Sequence, residues 1–230
     1  MTETTPGKGN VVFATAAAGA AIGFFGLPFL IAATPIEPVM GPIQKIFYFH
    51  VPCCWMLLLS SLTAGVASLF FLFRGSEGAD RIALAAGEIG VLFGVCGLVT
   101  GPLWGKVAWG KYWTWDARQT STLLLFLVLL AYLLARRYGG PGARKLAAAL
   151  ALFATANVPL VYLSPTLWRT LHPDAKVVPS LAPALRPALY LSAFFFLWLW
   201  AILLVLRLRL ESVRAAIEAL QKAADQAEDD

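Results

Sequence analysis

The chain is poor in charged side chains. Its 230 residues include 18 Lys and Arg and 13 Asp and Glu, while 59% of the residues are hydrophobic. That shortage excludes an ordinary water-soluble domain, in which about a quarter of residues are charged. Residues 12–33, 119–135, 146–168 and 187–206 contain no Asp, Glu, Lys or Arg at all. Because a bilayer core needs roughly 20 apolar residues per helix, the sequence predicts an integral membrane protein.

The length and spacing of the apolar runs predict an all-α, polytopic fold with six transmembrane helices. Gly101–Pro102 and Pro165 are expected to end the third and fifth helices, since proline disrupts a helix. The first apolar run is longer than the core of a signal peptide, so we expect it to be a retained span. The six spans are expected at about residues 12–33, 46–73, 82–101, 120–135, 146–164 and 185–206.

A charged segment, 207–230, follows the last span. In it, apolar residues recur at spacings of three and four, which predicts an amphipathic C-terminal helix. It is either solvated or a docking helix for a partner. The residues on its apolar face are Leu210, Val213, Ile217, Leu220 and Ala224.

Basic residues are divided unequally between the two sets of loops. The set that includes both termini holds eleven of them: Lys8, Arg74, Arg81, Arg136, Arg137, Arg144, Lys145, Arg207, Arg209, Arg214 and Lys222. The other set holds seven. Because Lys and Arg accumulate on the cytoplasmic side, both termini and the C-terminal helix are expected in the cytoplasm. Basic loops between spans also explain the net charge of +5 without a nucleic-acid partner.

Cysteine is scarce. The chain has three, of which Cys53 and Cys54 are adjacent. They form no disulfide framework, and no Cys-x-x-Cys-His motif for covalent haem attachment is present. We expect these cysteines to be small packing residues.

Tryptophan, by contrast, is concentrated in the segment 103–120. Four of the eight tryptophans lie there, followed by an acidic and a basic residue: Trp104, Trp109, Trp113, Trp115, Asp116 and Arg118. Tryptophans at the membrane interface form a belt, but a belt distributes its rings among span ends. The cluster is therefore also consistent with a platform for a flat apolar ligand that has charged edges.

The two histidines, His50 and His172, both map to the outer side of the membrane. Neutral imidazole is a common metal ligand, and two imidazoles from different segments could occupy both axial positions of a haem iron. Lys45 and Arg118 could then bind the haem propionates through charge-assisted hydrogen bonds. Zinc fits less well, because it usually has three or four protein ligands and carboxylates on this side are few. A buried, hydrogen-bonded histidine is the alternative for His50.

The stretch Trp-Gly-x-Tyr-Trp-x-Trp-Asp-x-Arg, residues 109–118, resembles the tryptophan-rich "WWD" signature of haem-handling membrane proteins. The whole chain is similar to the CcmC family, the haem exporter proteins C of cytochrome c maturation system I. Four further segments carry the resemblance: 45–52, 98–101, 157–159 and 168–172.

This resemblance implies a non-catalytic protein of the bacterial inner membrane. It would bind haem b at the periplasmic face and deliver it to the haem chaperone CcmE. The ABC transporter subunits CcmA and CcmB and the small protein CcmD would be further partners. The resemblance implies His50 and His172 as iron ligands. It also implies Trp104, Trp109, Trp113, Trp115 and Asp116 as the surface that presents haem, with Arg118 beside them.

Three other functions remain open. A haem lyase would itself attach haem to an apocytochrome. A haem transporter would need a polar pathway, whereas Glu88 and Asn157 are the only such residues near the midplane. A quinone-binding subunit would place its histidines within the membrane, whereas both lie outward here. Glu88 is costly in a span, so we expect it to pair with Arg81 or to contact a neighbouring helix.

Overall fold

The computed structural model describes residues 7–173 and 177–229. This part of the chain contains no β-strand, and six of its helices are long and apolar enough to cross a bilayer. The prediction of an all-α fold with six spans is therefore confirmed. The helices are α1 (Lys8–Ala32), α2 (Phe47–Arg74), α3 (Glu77–Trp109), α4 (Ala117–Tyr138), α5 (Ala143–Leu167), α6 (Val177–Ser180) and α7 (Arg186–Asp229); only α6 is too short to span.

Local signals set several helix ends. Ser76 caps the start of α3, because its hydroxyl accepts a hydrogen bond from the Ala79 amide at 3.2 Å. Asp116 caps α4 in the same way, with the Gln119 amide 2.9 Å from its carboxylate. Gly75 and Gly110 follow α2 and α3 with φ of 62° and 75°. Glycine adopts this left-handed conformation without strain, which ends each helix.

The prediction that Gly101–Pro102 ends the third helix is wrong, since α3 continues to Trp109. Proline removes one backbone N–H, but in lipid the rest of the backbone must still be paired internally, which favours helix over an irregular segment. The same reason explains why α5 passes through Pro165 to Leu167. The segment 103–120 is thus helical up to Trp109 and irregular only from residue 110 to 116.

The sixth span and the predicted C-terminal helix are one continuous helix, α7. The apolar residues on its extension, among them Leu210, Val213, Ile217 and Leu220, are exposed. The last residue of the predicted helix, Asp230, lies outside the described part of the chain.

Helix α2 is the centre of the bundle and packs against α3, α5 and α7, while α4 lies between α3 and α5. Helix α1 lies against α7. Its close approach depends on Gly19 and Gly23, because a Cβ on Gly23 would lie 1.9 Å from the Phe195 ring and one on Gly19 would lie 2.9 Å from Trp198. Small residues at helix crossings are typical of membrane bundles, where packing rather than water drives association.

Ion pairs gather at one end of the bundle, which we call the basic end. Asp80 on α3 is buried and accepts hydrogen bonds from Arg136 at 2.5 Å and Arg144 at 2.8 Å. Glu88 pairs with Arg207 of α7 at 2.8 Å. The prediction that Glu88 pairs with Arg81 is therefore wrong. The alternative prediction, a contact with a neighbouring helix, is confirmed. These pairs join α3 to α4, α5 and α7.

Candidate functional site

A cavity lies at the opposite end of the bundle, between α2, α3, α4, α5 and the loop that precedes α6. Its volume is about 1080 Å³, including its open mouth. Pockets that hold organic ligands have volumes of about 300 to 1,000 Å³, so this cavity is large enough for such a ligand. The wall is mainly aromatic and aliphatic, and the polar side chains on it include His50, Arg118, Gln119 and His172.

The two histidines meet at this cavity, although 122 positions separate them in the sequence. Their ring centroids are 6.5 Å apart and the rings are inclined by 47°. Two imidazoles on opposite sides of one metal ion, each bound at about 2 Å, would have ring centres roughly 6 Å apart. The spacing therefore suits a single metal ion held between the two rings.

The described residues offer no cluster of further ligands for such a metal. Within residues 7–173 and 177–229, no three His, Cys, Asp or Glu side chains form a group that could hold a metal ion. Two imidazoles on an apolar cavity wall therefore fit a metal that carries its own equatorial ligands. A metal in a flat macrocycle meets this condition, whereas a zinc ion with three or four protein ligands does not.

His50 is fixed within the helical bundle. It is 7% exposed and lies at the end of the first turn of α2. Its Nδ1 lies 2.9 Å from the Thr100 hydroxyl on α3, and its Nε2 lies 3.6 Å from the Cys54 thiol. Its ring also meets Trp104 edge to face, with centroids 5.9 Å apart. Both nitrogens and one edge of the ring are thus oriented by neighbours.

His172 lies instead on the loop between α5 and α6. Its backbone amide donates to the Thr170 hydroxyl at 2.9 Å, and its ring contacts Trp109, with centroids 5.4 Å apart. Its Nδ1 is buried and has no hydrogen-bond partner among the described residues. Burial, together with the positive charge of Arg118, lowers the pKa of His172 to about 4. The imidazole is therefore neutral near pH 7 and keeps a lone pair for a metal.

The four tryptophans of the 103–120 segment occupy different levels around the cavity. Trp104 and Trp113 line it, and the indole nitrogens of both are buried without a hydrogen-bond partner in the described chain. Trp109 does not line the cavity itself but contacts His172, which does. Trp115 is 70% exposed, has φ of 56°, and meets Trp113 edge to face at 5.5 Å. A positive φ is rare for a bulky residue, so the loop holds this indole outward against a local preference.

The charged residues of the predicted site have other contacts. Asp116 is the cap of α4 and is not on the cavity wall. Arg118 is on the wall, and its guanidinium donates to the carbonyls of Val161, Tyr162 and Pro173 at 3.3, 2.9 and 3.3 Å. Lys45 donates to the Ala32 carbonyl at 2.6 Å, at the end of α1, and lies off the wall.

Sequence reasoning did not assign Thr100, Cys54 or Gln119 to the site. Thr100 and Cys54 contact His50, and the Gln119 amide oxygen accepts from the Thr114 amide and hydroxyl at 3.0 and 2.8 Å. The signals for Thr100 were its polarity inside an apolar run and its place in segment 98–101, which carries the family resemblance. Which helix it faces depends on the packing of α3 on α2, which the local sequence does not encode.

Comparisons with known proteins agree with these features. A family model described as heme exporter protein C matches residues 4–228 of the chain. A protein named heme exporter protein C from Bradyrhizobium diazoefficiens is 36% identical over 196 residues, which are 83% of this chain and 74% of that protein. Proteins of the same name from Escherichia coli and Haemophilus influenzae are 33% and 32% identical and cover 76% and 82% of the chain, and 73% and 79% of their own lengths.

Proposed function

The chain belongs to the heme exporter protein C (CcmC) family, and we propose that it binds haem b and delivers it to the haem chaperone CcmE. The binding site would lie at the periplasmic face of the bacterial inner membrane. The relatives named above carry the word exporter in their names, which supports a role in haem export for cytochrome c maturation. CcmA, CcmB and CcmD are the further partners that we propose for this role.

One observation carries the proposal, namely the two imidazoles that face each other at 6.5 Å on an apolar cavity. Haem is a flat apolar ring with an iron at its centre, and two axial histidines are a common way to hold it. Trp104 and Trp113 on the cavity wall would contact the porphyrin faces or edges. We therefore propose His50 and His172 as the axial ligands.

The two ligands differ in how firmly they are held, which suggests how haem is released. His50 is on a long helix and is bound on both ring nitrogens. His172 is on a loop and contacts Trp109 through its ring. Displacing the loop would free one axial position while His50 still holds the iron. Trp115 beside the cavity then offers an exposed apolar surface for the chaperone.

Haem propionates require positive partners near the edge of the ring. Arg118 is on the cavity wall, so we propose that a propionate contacts its guanidinium, which can bind carboxylates in a planar geometry. Lys45 lies off the wall, and both side chains already donate to backbone carbonyls, so the difference between them is their position at the cavity. Of the two, Arg118 is thus the better-placed partner.

We propose that the basic end faces the cytoplasm, with both termini, and that the cavity end faces the periplasm. The eleven Lys and Arg residues on the side of the termini, against seven on the other, support this orientation. We infer haem transfer rather than transport by this chain alone, because two polar residues within the spans are already paired inside the protein. Glu88 is paired with Arg207, and Asn157 donates to the Ser121 carbonyl at 2.8 Å.

The test is the haem content of the detergent-purified protein, measured from its absorption spectrum. His50→Ala and His172→Ala should each lose most of the bound haem, because each variant lacks one of the two axial ligands. Arg169→Ala is the matched control, since it alters an exposed residue in the same loop as His172. Wild-type haem absorption in both histidine variants would overturn the proposal. Attachment of haem to an apocytochrome without the chaperone would instead identify a haem lyase.

A further inference from the structure

Thr100 lies directly beside His50, on the neighbouring helix. The Thr100 hydroxyl oxygen is 2.9 Å from His50 Nδ1. It is also 2.7 Å from the backbone carbonyl of Cys96, one turn earlier on α3. The Gly97 carbonyl lies 3.4 Å from it as well, so the hydroxyl has three polar neighbours, of which two are carbonyls.

The proton count of these groups determines the direction of both hydrogen bonds. A hydroxyl has one proton to donate, and a carbonyl can only accept. The hydroxyl can bond to a carbonyl and to His50 together only if its proton goes to a carbonyl, of which Cys96 is the nearer, and if Thr100 accepts from His50. It follows that Nδ1 of His50 is the protonated nitrogen. In a neutral imidazole, Nε2 then carries the lone pair.

The other side of the imidazole agrees with this assignment. Nε2 lies 3.6 Å from the Cys54 sulfur. A thiol is a weak donor, so it can bond to a nitrogen lone pair at Nε2 and is readily displaced by a stronger partner. Cys54 itself lies on the cavity wall, which places this nitrogen at the cavity.

Gly101, next to Thr100, holds the ring in position. A Cβ at residue 101 would lie 3.1 Å from His50 Cε1, so the glycine backbone is in close contact with the imidazole. Trp104, one turn further along α3, contacts the same ring. The Thr100 bond and these two contacts leave the ring little freedom to turn over and exchange its nitrogens.

We propose that Thr100 is the positioning residue for His50, because it accepts the Nδ1–H bond and so keeps the Nε2 lone pair available to haem iron. This inference rests on the proposed haem-binding function. Partners that hold the second nitrogen of a ligating histidine set its orientation and raise its basicity. Thr100 would thus strengthen the ligand on α2 relative to the one on the loop.

The test uses Thr100→Val, which keeps the shape of the side chain but removes the acceptor. Loss of bound haem to apomyoglobin, a haem scavenger, should accelerate about 10-fold, the lower end of the effect of such partners on metal sites. The reduction potential of the bound haem should also rise, because a less basic imidazole stabilises ferric iron less. Thr100→Ser, which retains the hydroxyl, should restore both values.

Thr63→Val is the matched control. Its hydroxyl donates to the Leu59 carbonyl at 2.8 Å, one turn earlier on α2, so the variant loses the same type of bond away from His50. If Thr100→Val releases haem at the wild-type rate and has the wild-type reduction potential, while His50→Ala fails to retain haem, the positioning role of Thr100 is overturned. The proposed haem-binding function would stand. Haem retained by both His50→Ala and His172→Ala would overturn the proposed function itself. A Thr63→Val variant as defective as Thr100→Val would also refute the positioning role.

Discussion

The guanidinium of Arg118 donates a hydrogen bond to the carbonyl oxygen of Pro173, 3.3 Å away. Pro173 follows His172 directly, so this bond ties the first turn of α4 to the loop that carries the second histidine. The same guanidinium binds the carbonyls of Val161 and Tyr162 near the end of α5. Arg118 is thus a structural support of the His172 loop as well as a proposed partner of a propionate.

Replacing Arg118 separates these two roles. Arg118→Ala should weaken haem retention about 10-fold, since it removes a group that orients a ligand. Arg118→Lys should recover little of the loss, because an ammonium group lacks the planar fork that reaches several carbonyls. Haem loss to apomyoglobin measures both. Full recovery in Arg118→Lys would show that positive charge alone is required, and would contradict the supporting role.

Trp115 should matter for delivery rather than for binding. It is 70% exposed and lies outside the cavity wall. Trp115→Ala should therefore leave haem content near the wild-type value but slow haem transfer to the purified chaperone severalfold. Trp113→Ala is the comparison, because Trp113 lines the cavity and its loss should lower haem content. Normal transfer in Trp115→Ala would remove the docking role of this indole.

Asp116 is predicted to act through the cap of α4. Asp116→Ala should destabilise the protein by about 1 kcal/mol, the usual value of a helix N-cap. Asp116→Asn should restore stability, since asparagine caps helices as well as aspartate does. Thermal unfolding in detergent measures the stability, and transfer to the chaperone is measured in parallel. If Asp116→Asn is stable but fails in transfer, the carboxylate has a role beyond the cap.

The haem-free His172 loop should open more readily in acid. Burial lowers the pKa of His172 to about 4, whereas an exposed histidine has a value near 6.5. The free energy that favours the closed loop over the open one therefore has its full value above pH 6.5. It decreases by about 1.4 kcal/mol per pH unit as the pH falls from 6.5 towards 4. Hydrogen exchange of the loop amides at pH 7 and pH 5 measures the opening.

His172→Gln is the control for this pH dependence, since glutamine does not titrate. After subtraction of the intrinsic pH effect on exchange, the variant should show the same protection at both values. Equal pH dependence in the wild type and in His172→Gln would assign the opening to another group.

The helices were predictable because the signal for them is local. A run of some twenty apolar residues specifies a span whatever lies next to it. Five runs without charge, and a sixth whose only charged residue is Glu88, predicted six spans. The cap formed by Asp116 is also local, although the sequence analysis assigned this residue only to the surface that presents haem. The prediction that Gly101–Pro102 ends the third helix was wrong for a physical reason. The rule that proline ends a helix describes water-soluble proteins, in which an unpaired backbone group can bond to solvent, whereas lipid offers no such partner.

The composition, the absence of charge from the apolar runs and the tryptophan-rich segment determined the fold class, the number of spans and the two candidate ligands without reference to tertiary structure. Only the tertiary structure decided which groups surround those ligands. Thr100 faces His50, Arg118 holds the loop of His172, and Glu88 pairs with Arg207 because particular faces of different helices meet. Such contacts arise from side-chain packing between segments remote in the chain, so no local pattern of residues encodes them.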